Sequence, residues 1–192
     1  VLYIPESGAS VYPAVFFSHG YGDTNRGGQA YAQALASQGY LAVCFDFRGG
    51  GPGSQSDGSP LEMTIFTEQQ DLEAEIAMLR ARSDVNEQYI FLLGNSQGGV
   101  VSALTAAAHP DWVRAMALSS PAFSLADDAR KLFGSVDEIP EQYFHLLMNV
   151  GRNYFASVYD FDPIDAAKSY PGDVLIFHGD RDTQIEGISG PG

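Results

Sequence analysis

At 192 residues with 45% hydrophobic content, the chain is long enough to bury a sizeable core and has the size of one domain. Its formal net charge of −14 argues against a nucleic-acid partner, which needs a basic stripe, and against an anionic membrane surface; a small neutral or modestly charged ligand fits better. Cys44, the only cysteine, excludes a disulfide framework and, lying in an apolar run, reads as a small buried hydrophobe. There is no run of about 20 apolar residues and no basic region followed by an apolar one at the N-terminus, so neither a membrane span nor a signal peptide is visible. A cytoplasmic location is the default expectation, weakened by Val1 as first residue, which leaves room for a removed leader.

In chain order, strand-like and helix-like segments alternate, the signature of a mostly parallel sheet covered by helices. Val1 to Pro5 is a short strand or the end of one, and Ala14 to Ser18 a buried one that runs into His19-Gly20-Tyr21-Gly22. Gln29 to Gln38 has helical periodicity and stops at Gly39, a residue suited to a left-handed cap. Tyr40 to Phe47 is the next strand, followed by a glycine-rich loop from Arg48 to Pro60. Thr67-x-x-Gln70 offers a capping box for a helix whose inner face carries Leu72, Ile76 and Leu79. Val113 to Leu118 is a strand, and Val174 to Phe177 another, ending in His178-Gly179-Asp180-Arg181-Asp182. The stretch 121–170 breaks the alternation: it is too long for a crossover and, with Tyr143, Phe144, Tyr154, Phe155, Tyr159 and Phe161, too aromatic for a linker. It reads as an inserted cap, the plainer alternative being an extra helix pair packed on the sheet. No internal repeat is present, so the chain is one domain, 1–192, with the cap inside it.

The chemistry gathers at Ile90-Phe91-Leu92-Leu93-Gly94-Asn95-Ser96-Gln97-Gly98-Gly99. An apolar strand breaks into Gly-x-Ser-x-Gly, and the Ala/Val/Leu-rich segment Gln97 to Ala108 follows as a helix. In that context the motif is a nucleophile elbow, a turn so tight that Ser96 is strained and its hydroxyl stands clear of the sheet. A chance Gly-x-Ser-x-Gly in a loop is the alternative. Serine is a poor nucleophile near neutral pH and needs a base, and the tetrahedral intermediate needs two donors for its oxyanion. The Gln97 N–H, just after Ser96, is one donor.

Taken in order, His19-Gly20-Tyr21-Gly22, Phe45-Asp46-Phe47-Arg48-Gly49, Gly94-Asn95-Ser96-Gln97-Gly98 and His178-Gly179-Asp180-Arg181-Asp182 resemble the α/β-hydrolase superfamily over nearly the whole chain. With Pro121-Ala122-Phe123 and Asp127-Asp128-Ala129 in the insertion, the chain is most similar to the cinnamoyl and feruloyl esterase branch. The resemblance implies an α/β-hydrolase fold and a serine carboxylesterase acting on short-chain or hydroxycinnamoyl esters; no metal cluster, Rossmann fingerprint or P-loop is present in the sequence, so no cofactor and no metal are expected. It implies Ser96 as nucleophile, Asp182 as the triad acid, the Tyr21 N–H as second oxyanion donor, and Asp128 and Tyr154 as contacts to a phenolic hydroxyl. Asp180 competes with Asp182 for the acid role, and Asp128 and Tyr154 have an ordinary alternative as solvent-facing cap residues.

The base is missing. The fold's chain order of Ser, Asp, His needs a histidine after Asp182, and His19, His109, His145 and His178 all precede it. His19 and His178 read as structural, His109 lies roughly 20 Å from Ser96 along the following helix, and His145 sits in the cap, able to approach the pocket. The closing stretch 183–192 has no room for the family's last strand and helix. The expectation is a chain truncated or altered at that end, or a base supplied by another polypeptide, with Val174 to Phe177 left as an open edge that invites pairing with another copy. A hydrolase-like shell that binds without catalysing stays open, as do a thioesterase, a peptidase and an acyltransferase using the same serine.

Overall fold

The computed structural model describes residues 1–182; the closing stretch 183–192, on which the expectation of a missing strand and helix falls, lies outside them. After β1 (Leu2–Tyr3), strand β2 (Tyr12–Ser18) buries Ala14, Phe16 and Ser18 completely. A strand covered on both faces needs an unbroken apolar run, which Ala14 to Phe17 supplies. A 3-10 turn over Asn25–Gly28 leads into α1 (Gln29–Ser37), and Gly39 then reverses the chain at φ 91°. β3 (Leu41–Cys44) is shorter than the sequence suggests, because from Phe45 the chain leaves the sheet for the glycine-rich loop. Asp46 anchors that loop, accepting hydrogen bonds from the backbone N–H groups of Asn25 (2.6 Å) and Gln55 (2.8 Å). Burial alone would raise its pKa, but these bonds outweigh burial and the net shift is downward.

Helix α2 (Ile65–Arg80) starts earlier than expected. The capping box is not Thr67 with Gln70 but Thr64 with Thr67: Thr67 N–H donates to Thr64 Oγ1 at 3.1 Å, and Thr64 N–H donates to Thr67 Oγ1 at 2.9 Å. A threonine hydroxyl takes the part usually given to Glu or Gln. Leu72, Ile76 and Leu79 are buried on the inner face, as expected. β4 (Val85–Asn95) then delivers the chain to Ser96, α3 (Gln97–Ala108) follows, and β5 (Ala115–Ser119) returns to the sheet. Helix and strand meet so closely at this turn that a Cβ on Gly98 would lie 2.2 Å from the Ser18 carbonyl oxygen. Only glycine permits that approach.

The stretch 121–170 divides in two. Its first part, with α4 (Leu125–Leu132), a hairpin of β6 (Gln142–His145) and β7 (Met148–Gly151), and α5 (Arg152–Ala156), lies over the sheet end that carries Ser96. It is tied together by Arg152, which donates to the carbonyls of Ile139 and Val136, and by the Tyr159 hydroxyl, which donates to the Phe133 carbonyl at 2.9 Å. Phe133, Tyr143 and Phe155 pack edge to face at 5.2 to 5.8 Å between centroids. The second part, α6 (Pro163–Ala167), instead packs on α3 as part of the body.

β8 (Asp173–Phe177) completes a sheet of order β1-β3-β2-β4-β5-β8, parallel throughout except for β1. Chain order reverses between β2 and β4, so the carboxyl ends of these two strands, at Ser18 and Asn95, frame the crevice where open α/β sheets bind ligands. At the edge, Val174, Leu175, Ile176 and Phe177 are 44 to 56% exposed. Among the described residues no strand pairs with the outer side of β8; an apolar edge of this kind is a template for another chain, and we propose that the 192-residue chain self-associates through it. Sedimentation velocity should show concentration-dependent association that Leu175→Lys relieves; a wild-type chain that stays a monomer would rule this out.

Candidate active site

Ser96 joins β4 to α3 with φ 52° and ψ −121°. A side-chain-bearing residue pays about 1–3 kcal/mol for such a conformation and keeps it only where its surroundings fix it. Here Ser96 N–H donates to the Ser119 carbonyl at 2.9 Å, and the Ser96 carbonyl accepts from Gly99 N–H at 2.9 Å and Ala122 N–H at 3.1 Å. The turn opens into a cavity of about 620 Å³ between the sheet end and the cap, and Tyr21, Ser96, Gln97, Asp128, Tyr154 and Asp182 all line it. The structure therefore brings together the six positions singled out from the sequence.

Gln97 is the first residue of α3, so its N–H has no acceptor within the helix, and the positive end of the helix dipole lies at Ser96. The loop after β2 presses on the same residue: a Cβ on Gly20 would lie 3.1 Å from Ser96 Cβ. Tyr21 follows directly. Its hydroxyl donates to the His145 carbonyl at 2.9 Å, linking this loop to the β6–β7 hairpin, and burial raises its pKa. Leu147 at the hairpin tip closes on the same loop at Gly22. Of the two competing carboxylates, Asp182 lines the cavity, while Asp180 is exposed in the turn before it.

The histidines separate by environment. The buried His19 uses both ring nitrogens, Nε2 accepting from Phe47 N–H at 3.2 Å and Nδ1 pairing with the Gly20 carbonyl at 2.9 Å, and burial lowers its pKa. That fixes it as the Nδ1–H tautomer with no lone pair to spare. His109 stacks on Trp112 at 3.9 Å and faces Glu73 at 3.3 Å at the far end of α3. His178 is exposed. His145 alone of the four lines the cavity, packed edge-on against Tyr21 and Phe155, both at 5.2 Å, with its pKa lowered by burial. Among the described residues no histidine nitrogen is hydrogen-bonded to Ser96.

The cavity's other polar wall is built by Asp128 and Tyr154. Ser124 Oγ donates to Asp128 Oδ2 at 2.8 Å. Tyr154, 3% exposed, donates from its hydroxyl to Gln97 Oε1 at 2.7 Å, and Gln97 Nε2 donates to Glu68 Oε2 at 2.8 Å. Burial raises the Tyr154 pKa and pushes Glu68 up to about 8, even though the bond from Gln97 works the other way. Glu68 is not singled out by the sequence reading, yet a signal exists: it occupies the helical stripe of Leu72, Ile76 and Leu79, so a carboxyl sits where a buried face needs an apolar residue. Among the described residues no group of three or more His, Cys, Asp or Glu is arranged to hold a metal, and no helix is long and apolar enough to cross a membrane.

The structure of Est1E from Butyrivibrio proteoclasticus with bound ferulic acid superposes with a TM-score of 0.86 at 26% identity, covering 96% of this chain and 76% of that one. A monoacylglycerol lipase from Paleococcus ferrophilus shares the fold at a TM-score of 0.64 and 19% identity, covering 93% and 76%. The Escherichia coli O157:H7 protein YfhR, described as uncharacterized, is 31% identical over 153 residues, which are 79% of this chain; the chain thus spans less than half of YfhR, 46% of its length. Residues 9–180 match the family model of the serine aminopeptidases, S33. The chain is therefore a member of the serine aminopeptidase S33 family, within the α/β-hydrolase superfamily.

Proposed function

We propose that the chain carries the nucleophile, acid and oxyanion donors of a serine carboxylesterase acting on short-chain or hydroxycinnamoyl esters. The observation that carries this reading is Ser96, held in a strained turn at the head of α3 and facing a cavity that Asp182 also lines. An imidazole takes the Ser96 proton as Oγ attacks the ester carbonyl, and the oxyanion is met by the N–H groups of Gln97 and Tyr21. Collapse expels the alcohol, protonated by the same imidazole, and water then releases the acid from Ser96. Asp182 orients that imidazole, which comes from outside these 192 residues. The ferulic acid held by the similar Est1E supports a hydroxycinnamoyl substrate.

A second reading, a shell that binds esters without cleaving them, is favoured by the lack of a histidine on Ser96 among the described residues. A fluorophosphonate probe separates the two, because phosphonylation needs an activated hydroxyl. In the chain joined to a segment that carries a strand and a histidine after Asp182 we expect a single adduct on Ser96, lost in Ser96→Ala; an extended chain that binds esters but stays unlabelled favours the shell.

Asp128 and Tyr154 are proposed as the contacts to a phenolic hydroxyl. A site built to pair a hydroxyl rejects the analogue that lacks it, because its own polar group is then left buried and unpaired. Methyl ferulate should therefore bind more tightly than methyl cinnamate, and Asp128→Ala should erase most of the difference. Equal binding of the two esters by the wild type, with no change on substitution, would reject the assignment.

A further inference from the structure

The buried chain Glu68–Gln97–Tyr154 does more than satisfy three polar groups. A phenol has one proton, and Tyr154 spends its own on Gln97 Oε1 at 2.7 Å. Tyr154, which lines the cavity, is then left with a lone pair and no proton to offer a ligand. The orientation of the Gln97 amide decides this, since a reversed amide would offer Nε2 to Tyr154 and free the phenol proton for the ligand. The amide is held in the observed sense by Glu68 Oε2, which accepts from Nε2 at 2.8 Å, with Met63 Sδ beside the same nitrogen at 3.9 Å. Glu68 and Gln97 are each 1% exposed, so no solvent competes for these bonds. Asp128 accepts from the Ser124 hydroxyl and faces Lys131 Nζ at 3.9 Å, and the remaining lone pairs of its carboxyl add acceptors to the same wall.

We propose that Glu68 is a specificity-determining positioning residue: by fixing the Gln97 amide it makes Tyr154 an acceptor, so that the cavity's polar wall selects an ester carrying a hydrogen-bond donor. Glu68 touches no ligand and acts wholly through Gln97. Its burial keeps it a neutral acid near neutrality, which still offers Gln97 a carbonyl oxygen. This rests on the hydroxycinnamoyl reading of the cavity but goes beyond it, because it specifies a donor rather than any polar group and assigns the choice to a residue on α2.

Binding of three methyl esters to the folded 192-residue chain tests it, in a Ser96→Ala background that prevents turnover and at pH 6, below the pKa of Glu68. The probes are methyl 4-hydroxycinnamate, methyl 4-methoxycinnamate and methyl cinnamate. With Glu68 present, the hydroxy ester should bind roughly ten-fold more tightly than either of the others, the methoxy ester gaining nothing because its oxygen has no proton. Glu68→Leu should bring the ratio down to about one to two while methyl cinnamate stays within about three-fold, and Glu68→Gln, which like the neutral acid offers Gln97 Nε2 a carbonyl oxygen, should retain most of it. A purely structural role would weaken all three esters together. Should the Leu variant fail to fold, Glu68→Met takes its place, and a drop of about two-fold or more in its ratio supports the role. An unchanged ratio in the apolar variant, or proportional weakening of all esters, overturns it while leaving the functional reading intact. If the hydroxy ester has no advantage even with Glu68 present, the acceptor wall is wrong and the role of Glu68 falls with it; if no ester binds, the functional reading itself fails.

Discussion

Turnover of p-nitrophenyl acetate by the 192-residue chain is expected to lie about 10⁴ to 10⁶ below the ordinary enzyme range of about 1 to 10³ per second. Ser96, the residues proposed as its oxyanion donors and the carboxylate of Asp182 border one cavity, which is what the proposed mechanism requires of them. What the described residues do not bring to Ser96 is a proton acceptor: His19 has both nitrogens engaged, His109 stacks on Trp112 beyond the helix, and His178 is exposed. Removing the base of a triad leaves the oxyanion donors to act alone, which accounts for the size of the deficit. Fusing a segment that carries a strand and a histidine after Asp182 should restore turnover, and Ser96→Ala should then remove it again without shifting the unfolding transition. If the unextended chain already turns over in the ordinary range, the base lies within it. His145, the only histidine on the cavity, is then the residue to replace, and loss of activity in His145→Ala would settle the point against an external imidazole.

Legibility in the sequence follows the range of the physics involved. The helix Gln97 to Ala108 is read to the residue, because its start is fixed by a local break, Gly94 to Gly98, and its end by His109 before Pro110. The strands at Ala14 and Ile90 are found from their apolar runs, but they begin earlier, at Tyr12 and Val85, where the intervening residues are more polar and partly buried or exposed. Where a boundary depends on partners distant in sequence, the reading slips. Tyr40 to Phe47 is apolar enough to continue as a strand, but Asp46 is needed by Asn25 and Gln55, and the chain bends away at Phe45. Thr64 escapes notice as a cap because its partner is another threonine rather than the usual Glu or Gln. The long aromatic stretch shows its composition but not its division: nothing local says that α6 rejoins α3 while the β6–β7 hairpin lines the cavity. Asp128 and Tyr154 are reachable from family resemblance, whereas Glu68 is visible only as a carboxyl on an apolar stripe whose partner, Gln97, lies 29 residues away.

That buried carboxyl should also govern how stability depends on pH. Its folded pKa of about 8 stands above the ordinary 4.5, so the folded chain holds the Glu68 proton more tightly than the unfolded chain does. The stability linked to this proton is fully present below about pH 4.5 and is lost as pH rises through the folded value near 8, at roughly 1.4 kcal/mol per pH unit across that window. Over the whole interval the loss is of the order of 5 kcal/mol, large beside the 5–15 kcal/mol that domains of this kind possess. Glu68→Gln removes the titration while keeping the shape and the bond to Gln97. The other acidic groups are the same in both proteins, Glu75 included, and cancel in the comparison. Denaturant unfolding at pH 5, 6.5 and 8 should therefore show the wild type losing ground to Glu68→Gln at each step and no further beyond about pH 9. A stability difference that stays flat from pH 5 to 8 would mean that Glu68 ionises in the folded protein as easily as in water, which its burial and its neighbour Asp71 both oppose. The same proton then ties fold to site, because the carboxyl whose charge α2 cannot accommodate is the one that fixes Gln97 beneath the cavity.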